Sequence, residues 1–266
     1  MQECPTDESA CSTTGAKLFW PSSCITYATN KLGSEALDPE ETRAVIRKTF
    51  EAWSDVACPD GTTAAMTFQE RDPVTCKRSE YNKTERNVNV VLFQDAKWNY
   101  RGIDGTLAKT SVTYNDVTGE IYDADIEVNT AYNEVTITDD AAKIEYDLQA
   151  ILTHEVGHFI GIAHSPDPSA VMFASYSPGS TSQRKLHPDD IDAVCGTYPD
   201  AERRECTTEP RNGFSDICPE AEPKTALCAV TPGPANTSLG VAGLFIVGTI
   251  AGARARRRRK AGGGNP

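Results

Sequence analysis

The sequence predicts an α+β fold, and three observations carry that expectation. A helical apolar stripe follows residue 38, short β-rich runs recur between residues 24 and 128, and a histidine-bearing helix lies near residue 155. At 266 residues the chain can bury a sizeable core, and one main unit with appendages fits better than two equal domains. The boundaries read as a cysteine-containing N-terminal segment 1–36, a main domain 37–198, a Pro/Cys-rich extension and linker 199–235, and an apolar segment with a basic tail 236–266.

In chain order, Phe19-Trp20 and Cys24-Ile25-Thr26-Tyr27 begin a first strand. Asp38 can cap the first clear helix, Pro39 suits its opening turn, and Glu41 completes a capping-box pattern. Val45, Ile46, Phe50, Trp53 and Val56 then give it a core-facing stripe. Ala64–Gln69 and Asn87–Phe93 read as strands, and Cys58 and Cys76 flank the first of these as a candidate pair. Asp116–Glu120 reads as a turn before the strand Ile121–Val128. Asp139-Asp140 can cap the histidine helix, which Ile144, Leu148, Ile151, Leu152 and Phe159 anchor in the core. Pro188 opens a last helix, with Ile191, Val194, Cys195 and Tyr198 on one face and acids in its first turn.

The net charge is −12, although six basic residues (Arg254, Arg256, Arg257, Arg258, Arg259, Lys260) cluster at the C-terminus. A body this acidic argues against nucleic-acid binding, which needs a basic face. Nine cysteines with no CxxC pair point to disulfides and an oxidising compartment. Met1-Gln2-Glu3-Cys4 has neither a basic nor an apolar leader region, so any leader is expected to be removed or to lie outside this sequence.

The chemistry concentrates in His154-Glu155-Val156-Gly157-His158-Phe159-Ile160-Gly161-Ile162-Ala163-His164, which holds three of the four histidines. Helical spacing puts His154 and His158 on one face, where both imidazoles can bind one cation. On a straight helix His164 would sit roughly 9 Å past His158. A break at Gly161 removes that difficulty, because glycine takes φ > 0 without Cβ strain and lets the chain turn back. Glu155 lies at a different azimuth and suits a general base better than a fourth ligand. Three neutral histidines and one open position make a catalytic site.

This motif resembles the metzincin signature HExxHxxGxxH. Ser165 after the third histidine, Asp167-Pro168, a methionine turn at Ser169-Ala170-Val171-Met172, and Tyr176 resemble the matrixins, the family of matrix metalloproteinases. The resemblance implies a zincin-like domain: a twisted mixed sheet with an antiparallel edge strand, two long helices behind it and a closing helix after the methionine turn. It implies catalytic zinc on His154, His158 and His164, and Glu155 as the base toward metal-activated water. Gly105–Thr110 resembles the matrixin edge segment, so Leu107 and Ala108 are expected to offer main-chain hydrogen bonds to an extended substrate. Matrixins usually place a histidine for a second zinc where this chain has Lys109. Only His187 lies outside the motif, so a histidine-rich second site cannot be assembled. Asp123, Asp125 and Glu127 resemble the family's calcium cluster and equally fit a solvated strand face. Cys4 or Cys11 could silence a zymogen as thiolate on zinc, although a structural disulfide is the preferred reading. Residues Ser175–Lys185 are expected to line the pocket beside zinc.

Past a linker at Thr231-Pro232-Gly233-Pro234, the uncharged Leu239–Ala253 precedes the basic cluster. That order resembles C-terminal sorting signals of bacterial, myxobacterial-type, surface proteins, with Cys228 as the nearby cysteine. It predicts a membrane-directed tail with the catalytic domain outside. The sequence thus reads as a monomeric, secreted or cell-surface zinc endopeptidase with protein or peptide substrates. The alternative is a binding or adhesion module that keeps the zinc fold without turnover.

Overall fold

The computed structural model describes residues 2–3, 12–13, 15–100, 106–216, 218 and 245–252. Cys4, Cys11, Gly105, Cys228, the 231–234 linker, residues 239–244 and the basic cluster lie outside the described residues.

The element order is β1 (Gln2–Glu3), β2 (Ser12–Thr13), β3 (Cys24–Thr29), α1 (Pro39–Trp53), β4 (Thr67–Glu70), β5 (Val90–Phe93), β6 (Thr106–Tyr114) and β7 (Ile121–Val128). There follow β8 (Val135–Thr136), β9 (Tyr146–Asp147), α2 (Leu148–Phe159), β10 (Ser175–Tyr176), α3 (Pro188–Thr197) and β11 (Phe245–Gly252). The main sheet runs β10-β11-β6-β7-β5-β3-β4. Strands β4, β3, β5 and β7 are parallel, and β6 joins β7 antiparallel. The expected mixed sheet with an antiparallel strand at one side is therefore present, extended outward by β11. Strand β3 belongs to the segment set apart as 1–36, yet it is an inner strand of this sheet.

Helix α1 begins where its cap dictates: the Asp38 carboxylate accepts from the amides of Glu40 and Glu41 at 2.9 Å. Its buried face is Ile46, Phe50 and Trp53, and Phe50 stacks on Tyr27 of β3 with ring centroids 3.7 Å apart. Trp53 crosses to α2, its Nε1 donating to the Thr153 carbonyl at 2.9 Å. Every residue of α2 is buried, which is the pattern of a helix enclosed on all sides. Aromatic contacts from Trp20, Phe50 and Phe68 surround Phe159 at its C-terminal end.

Several expectations need correction. Asp147 caps α2, accepting from the Ala150 amide at 2.7 Å, whereas Asp139 pairs with Arg184. Strand β9, which pairs back onto β8, lies between Asp139 and the helix and displaces the start to Leu148. The strand expected from Asn87 begins at Val90, because the Asn87 backbone pairs with the segment 213–215 instead, its amide donating to Gly213 O and its carbonyl accepting from Ser215 N, both at 3.0 Å. The strand expected at Ala64–Gln69 spans Thr67–Glu70. Cys58 and Cys76 do not pair. The disulfides are Cys58–Cys195, Cys76–Cys218 and Cys24–Cys206. Cys58 packs into the main core, whereas Cys76 packs into a second apolar cluster with Val74, Val88 and Val90. Two of these bridges tie the extension after Tyr198 back onto β3 and the loop beyond β4, and the Ser23 amide reaches the Glu205 carbonyl at 3.2 Å.

Candidate metal centre

Helix α2 carries His154 and His158 one turn apart and ends in a Schellman arrangement. The Gly161 amide donates to His158 O at 2.9 Å, and the Ile162 amide donates to Gly157 O at 2.9 Å. Gly161 has φ +89°, and a Cβ there would lie 2.8 Å from both the Leu18 carbonyl oxygen and its Cβ. The hinge therefore needs glycine for conformation and for space. It returns His164 to the helix.

The three imidazoles meet through Nε2. His154 Nε2 and His164 Nε2 each lie 3.1 Å from His158 Nε2. His154 Nδ1 lies 2.7 Å from Val171 O, and His158 Nδ1 lies 2.8 Å from Ile162 O. A carbonyl accepts only, so these contacts fix the proton on Nδ1 and leave Nε2 as a bare lone pair. Burial, first of all, pulls the pKa of His154 down to about 3, that of His158 well below its ordinary value and that of His164 down as well. Neutral rings with converging lone pairs repel unless a cation sits between them. The donor set fits zinc, which accepts imidazole nitrogen. Among the described residues this trio is the one group of histidine, cysteine or acid side chains arranged to hold a metal ion.

Glu155 is fully buried beside them. Its Oε2 accepts from Thr110 Oγ1 of β6 at 2.5 Å, while Oε1 has no hydrogen-bond partner. Burial pushes this carboxyl up to about 8, opposed by the Thr110 hydrogen bond and the Lys109 charge. One oxygen is held and the other is free to exchange a proton.

The methionine turn forms the floor. Ser165 N donates to Met172 O at 2.8 Å and Ala170 N to Asp167 O at 3.0 Å. Met172 packs against Gly157, where an added Cβ would lie 2.1 Å from its Sδ. The Asp190 carboxylate, fully buried in the first turn of α3, accepts from the Val171, Met172 and His187 amides at 2.8, 3.0 and 2.9 Å.

The matrixin family profile matches residues 19–199. The chain belongs to the matrixin family. This matrixin is 26% identical over 184 residues to metalloendoproteinase 1-MMP of Arabidopsis thaliana, covering 67% of the chain and 44% of that protein. It is 28% identical over 179 residues to human neutrophil collagenase, covering 67% and 33%. It is 28% identical over 189 residues to matrix metalloproteinase-16 of Rattus norvegicus, covering 70% and 28%. The chain thus matches less than half the length of each of these relatives.

Around this matrixin centre, Leu107 and Ala108 lie in β6, which is not the edge of the sheet because its outer side is paired with β11. Lys109 is buried, its Nζ 3.9 Å from the centre of the Tyr100 ring, and it pairs in register with Glu127. Asp123, Asp125 and Glu127 share one face of β7 and are buried rather than solvated. The Asp125 oxygens accept from Val90 N, Glu80 N and Ser79 Oγ, and those of Glu127 accept from Gln94 Nε2 and Tyr100 OH. Asp123 Oδ1 has no partner. Arg184, from the segment expected to line the pocket, locks that segment to the start of α2 by two hydrogen bonds to Asp147 at 2.9 and 2.5 Å. Sequence reasoning missed four supports: Thr110, Gly157, Gln183 (Nε2 to Val171 O, 3.0 Å) and the inward turn of Asp190. Asp190 reads as an ordinary helix-start acid, and only its total burial distinguishes it.

Proposed function

We propose that this chain is a zinc-dependent endopeptidase acting on proteins outside the cytoplasm. One observation carries the reading: three Nε2 atoms converge beside a buried glutamate with one unpartnered oxygen. Kinship with relatives named as a collagenase and a metalloendoproteinase supports peptide-bond hydrolysis, and three disulfides support an oxidising compartment.

His154, His158 and His164 would hold the metal, which supplies Lewis acidity toward the scissile carbonyl and the attacking water. Glu155 takes a proton from that water at Oε1 and returns it to the departing amine. Thr110 holds Oε2, so the carboxyl keeps its aim while Oε1 exchanges the proton. The Val171 and Ile162 carbonyls orient His154 and His158 and keep their protons on Nδ1. All ligands and the base come from one chain, so the site is complete without a partner subunit. With β11 displaced from β6, Leu107 and Ala108 would offer backbone groups to an extended substrate.

Two finer readings stand beside this one. Calcium on the acidic face of β7 is supported by Asp123 Oδ1, the oxygen that no protein donor serves. Membrane targeting is supported by Leu239–Ala253 followed by the basic cluster, and it applies when the segment is not in the sheet. Among the described residues, no helix is long and apolar enough to cross a membrane.

The test of the main reading is digestion of casein by the chain truncated after Ala235, with and without phenanthroline. Cleavage that phenanthroline abolishes and added zinc restores is expected. Absence of any chelator-sensitive cleavage would contradict it and favour the non-catalytic binding module.

A further inference from the structure

The sheet does not end at the edge strand that faces the metal centre. Strand β11 lies antiparallel to β6, in register from Phe245↔Thr113 through Thr249↔Lys109, and resumes at Ala251↔Thr106 after an irregularity. On its other side β10 runs parallel to it, with Ser175↔Ala251 and Tyr176↔Gly252. The C-terminal backbone is therefore threaded between the edge strand and the segment that follows the methionine turn. Gly248 is the register partner of Thr110, and Thr110 donates its hydroxyl to Glu155 Oε2. The strand thus passes the position of β6 that touches the general base.

We infer that residues 245–252 are an intramolecular occupant of the substrate cleft and hold the enzyme shut. The inference rests on the peptidase reading above. A strand edge has one row of backbone donors and acceptors, so it pairs with one extended chain at a time. While β11 holds that row, a peptide substrate cannot. The sequence suits the role: Phe245–Gly252 is uncharged and carries Ile246, Val247, Thr249 and Ile250, residue types that favour strands.

The tether makes weak pairing sufficient. The Cys76–Cys218 disulfide pins the chain to the body 26 residues (219–244) before β11 begins. A short tether gives an effective concentration on the order of 1 mM, so a segment binding with Kd of about 100 μM in trans would fill the edge roughly ten to one. Pulling the tail away, whether by a membrane, a sorting enzyme or cleavage of the linker, would open the cleft about tenfold by the same arithmetic.

The test compares the full chain with the chain truncated after Ala235. Truncation should raise kcat/KM on a quenched peptide by about tenfold or more. A synthetic peptide of residues 241–256 should inhibit the truncated enzyme competitively. Because both readouts need turnover, amide hydrogen exchange across Thr106–Tyr114 is followed in parallel, in the Glu155→Gln background so that the tail stays intact. Exchange there should be slower with the tail than without it. If truncation destabilises the protein, the paired substitution Val247→Pro with Gly248→Pro in the full chain serves instead, since one of two adjacent residues must donate toward β6. Equal exchange with and without an unbroken strand, together with no inhibition by the peptide, overturns the inference. A difference in exchange with no hydrolysis by either form supports the docked strand and refutes the peptidase reading instead.

Discussion

Two buried clusters of metal-binding residue types lie on opposite faces of the same sheet, and they differ in one decisive respect. Thr110 hydrogen-bonds Glu155 beside the three histidines, while its neighbour Lys109, pointing the other way, is in register with Glu127 of the acidic face. At the histidines, the outer nitrogens of His154 and His158 are tied to carbonyls and the inner ones face each other without a donor. On β7, the protein's own N–H and O–H groups serve both oxygens of Asp125 and both of Glu127. The residue types alone suggest two metal sites. Counting donors separates a site that needs a cation from one that the fold has largely satisfied.

Substitutions can break this contrast from either side. The largest effect should follow His158→Ala, which removes the central nitrogen of the trio: zinc content and hydrolysis should both fall to background, measured by atomic absorption and peptide cleavage. Matching changes in the acidic face should leave zinc content untouched. Next comes Asp190→Asn. It replaces a carboxylate that accepts three amides with a group having one acceptor oxygen, loosening the turn whose Val171 carbonyl orients His154. Loss of such a support typically costs 10–100-fold in metal affinity, to be read by competition with a chromogenic chelator. An unchanged affinity would show that the turn holds itself.

The histidine centre was legible because its ligands are local. Helical periodicity aligns two of them, and Gly161, seven residues after His154, returns the third. What surrounds them was not legible, because it depends on contacts far apart in sequence. Asp190 looks like a first-turn acid until α3 packs against the methionine turn. Gly157 reads as an unremarkable spacer until Met172 is brought against it. Cys58 and Cys76 look like partners by proximity, yet each bonds a cysteine more than a hundred residues away. The mixed sheet followed from the family resemblance, but the inclusion of β3 and the return of the tail as β11 required tertiary pairing that no local pattern encodes.

A smaller effect is expected from Gly157→Ala. Its Cβ would press on Met172 Sδ, and overpacking of this kind costs about 1–3 kcal/mol, seen as a lower unfolding midpoint in urea with zinc still bound. A loss of zinc out of proportion to stability would mean that Met172 supports the metal directly.

The smallest effect concerns the acidic face. Burial, and then the neighbouring charge of Asp125, holds the Asp123 carboxyl well above its ordinary range, and burial raises Asp125 similarly. A folded-state pKa above the unfolded value means that the folded protein binds the proton more tightly. Stability from this pair is therefore fully present below about pH 4 and is lost as pH rises through the folded-state values. Calcium that takes the place of those protons would flatten the loss. Thermal unfolding at pH 5 and 7, with and without calcium, compares the slopes in the native chain and in Asp123→Asn. A calcium response that survives in Asp123→Asn would place any such ion elsewhere.

The central claim is that the three histidines hold zinc while Glu155 moves the proton, and substituting Glu155 alone separates the two roles. In Glu155→Gln made in the chain truncated after Ala235, metal content and peptide hydrolysis are measured on the same preparation. Zinc should remain at the level of the unsubstituted truncated chain while hydrolysis falls by about 10²–10⁴-fold. Hydrolysis that persists undiminished, or zinc that is lost while turnover remains, would contradict the account.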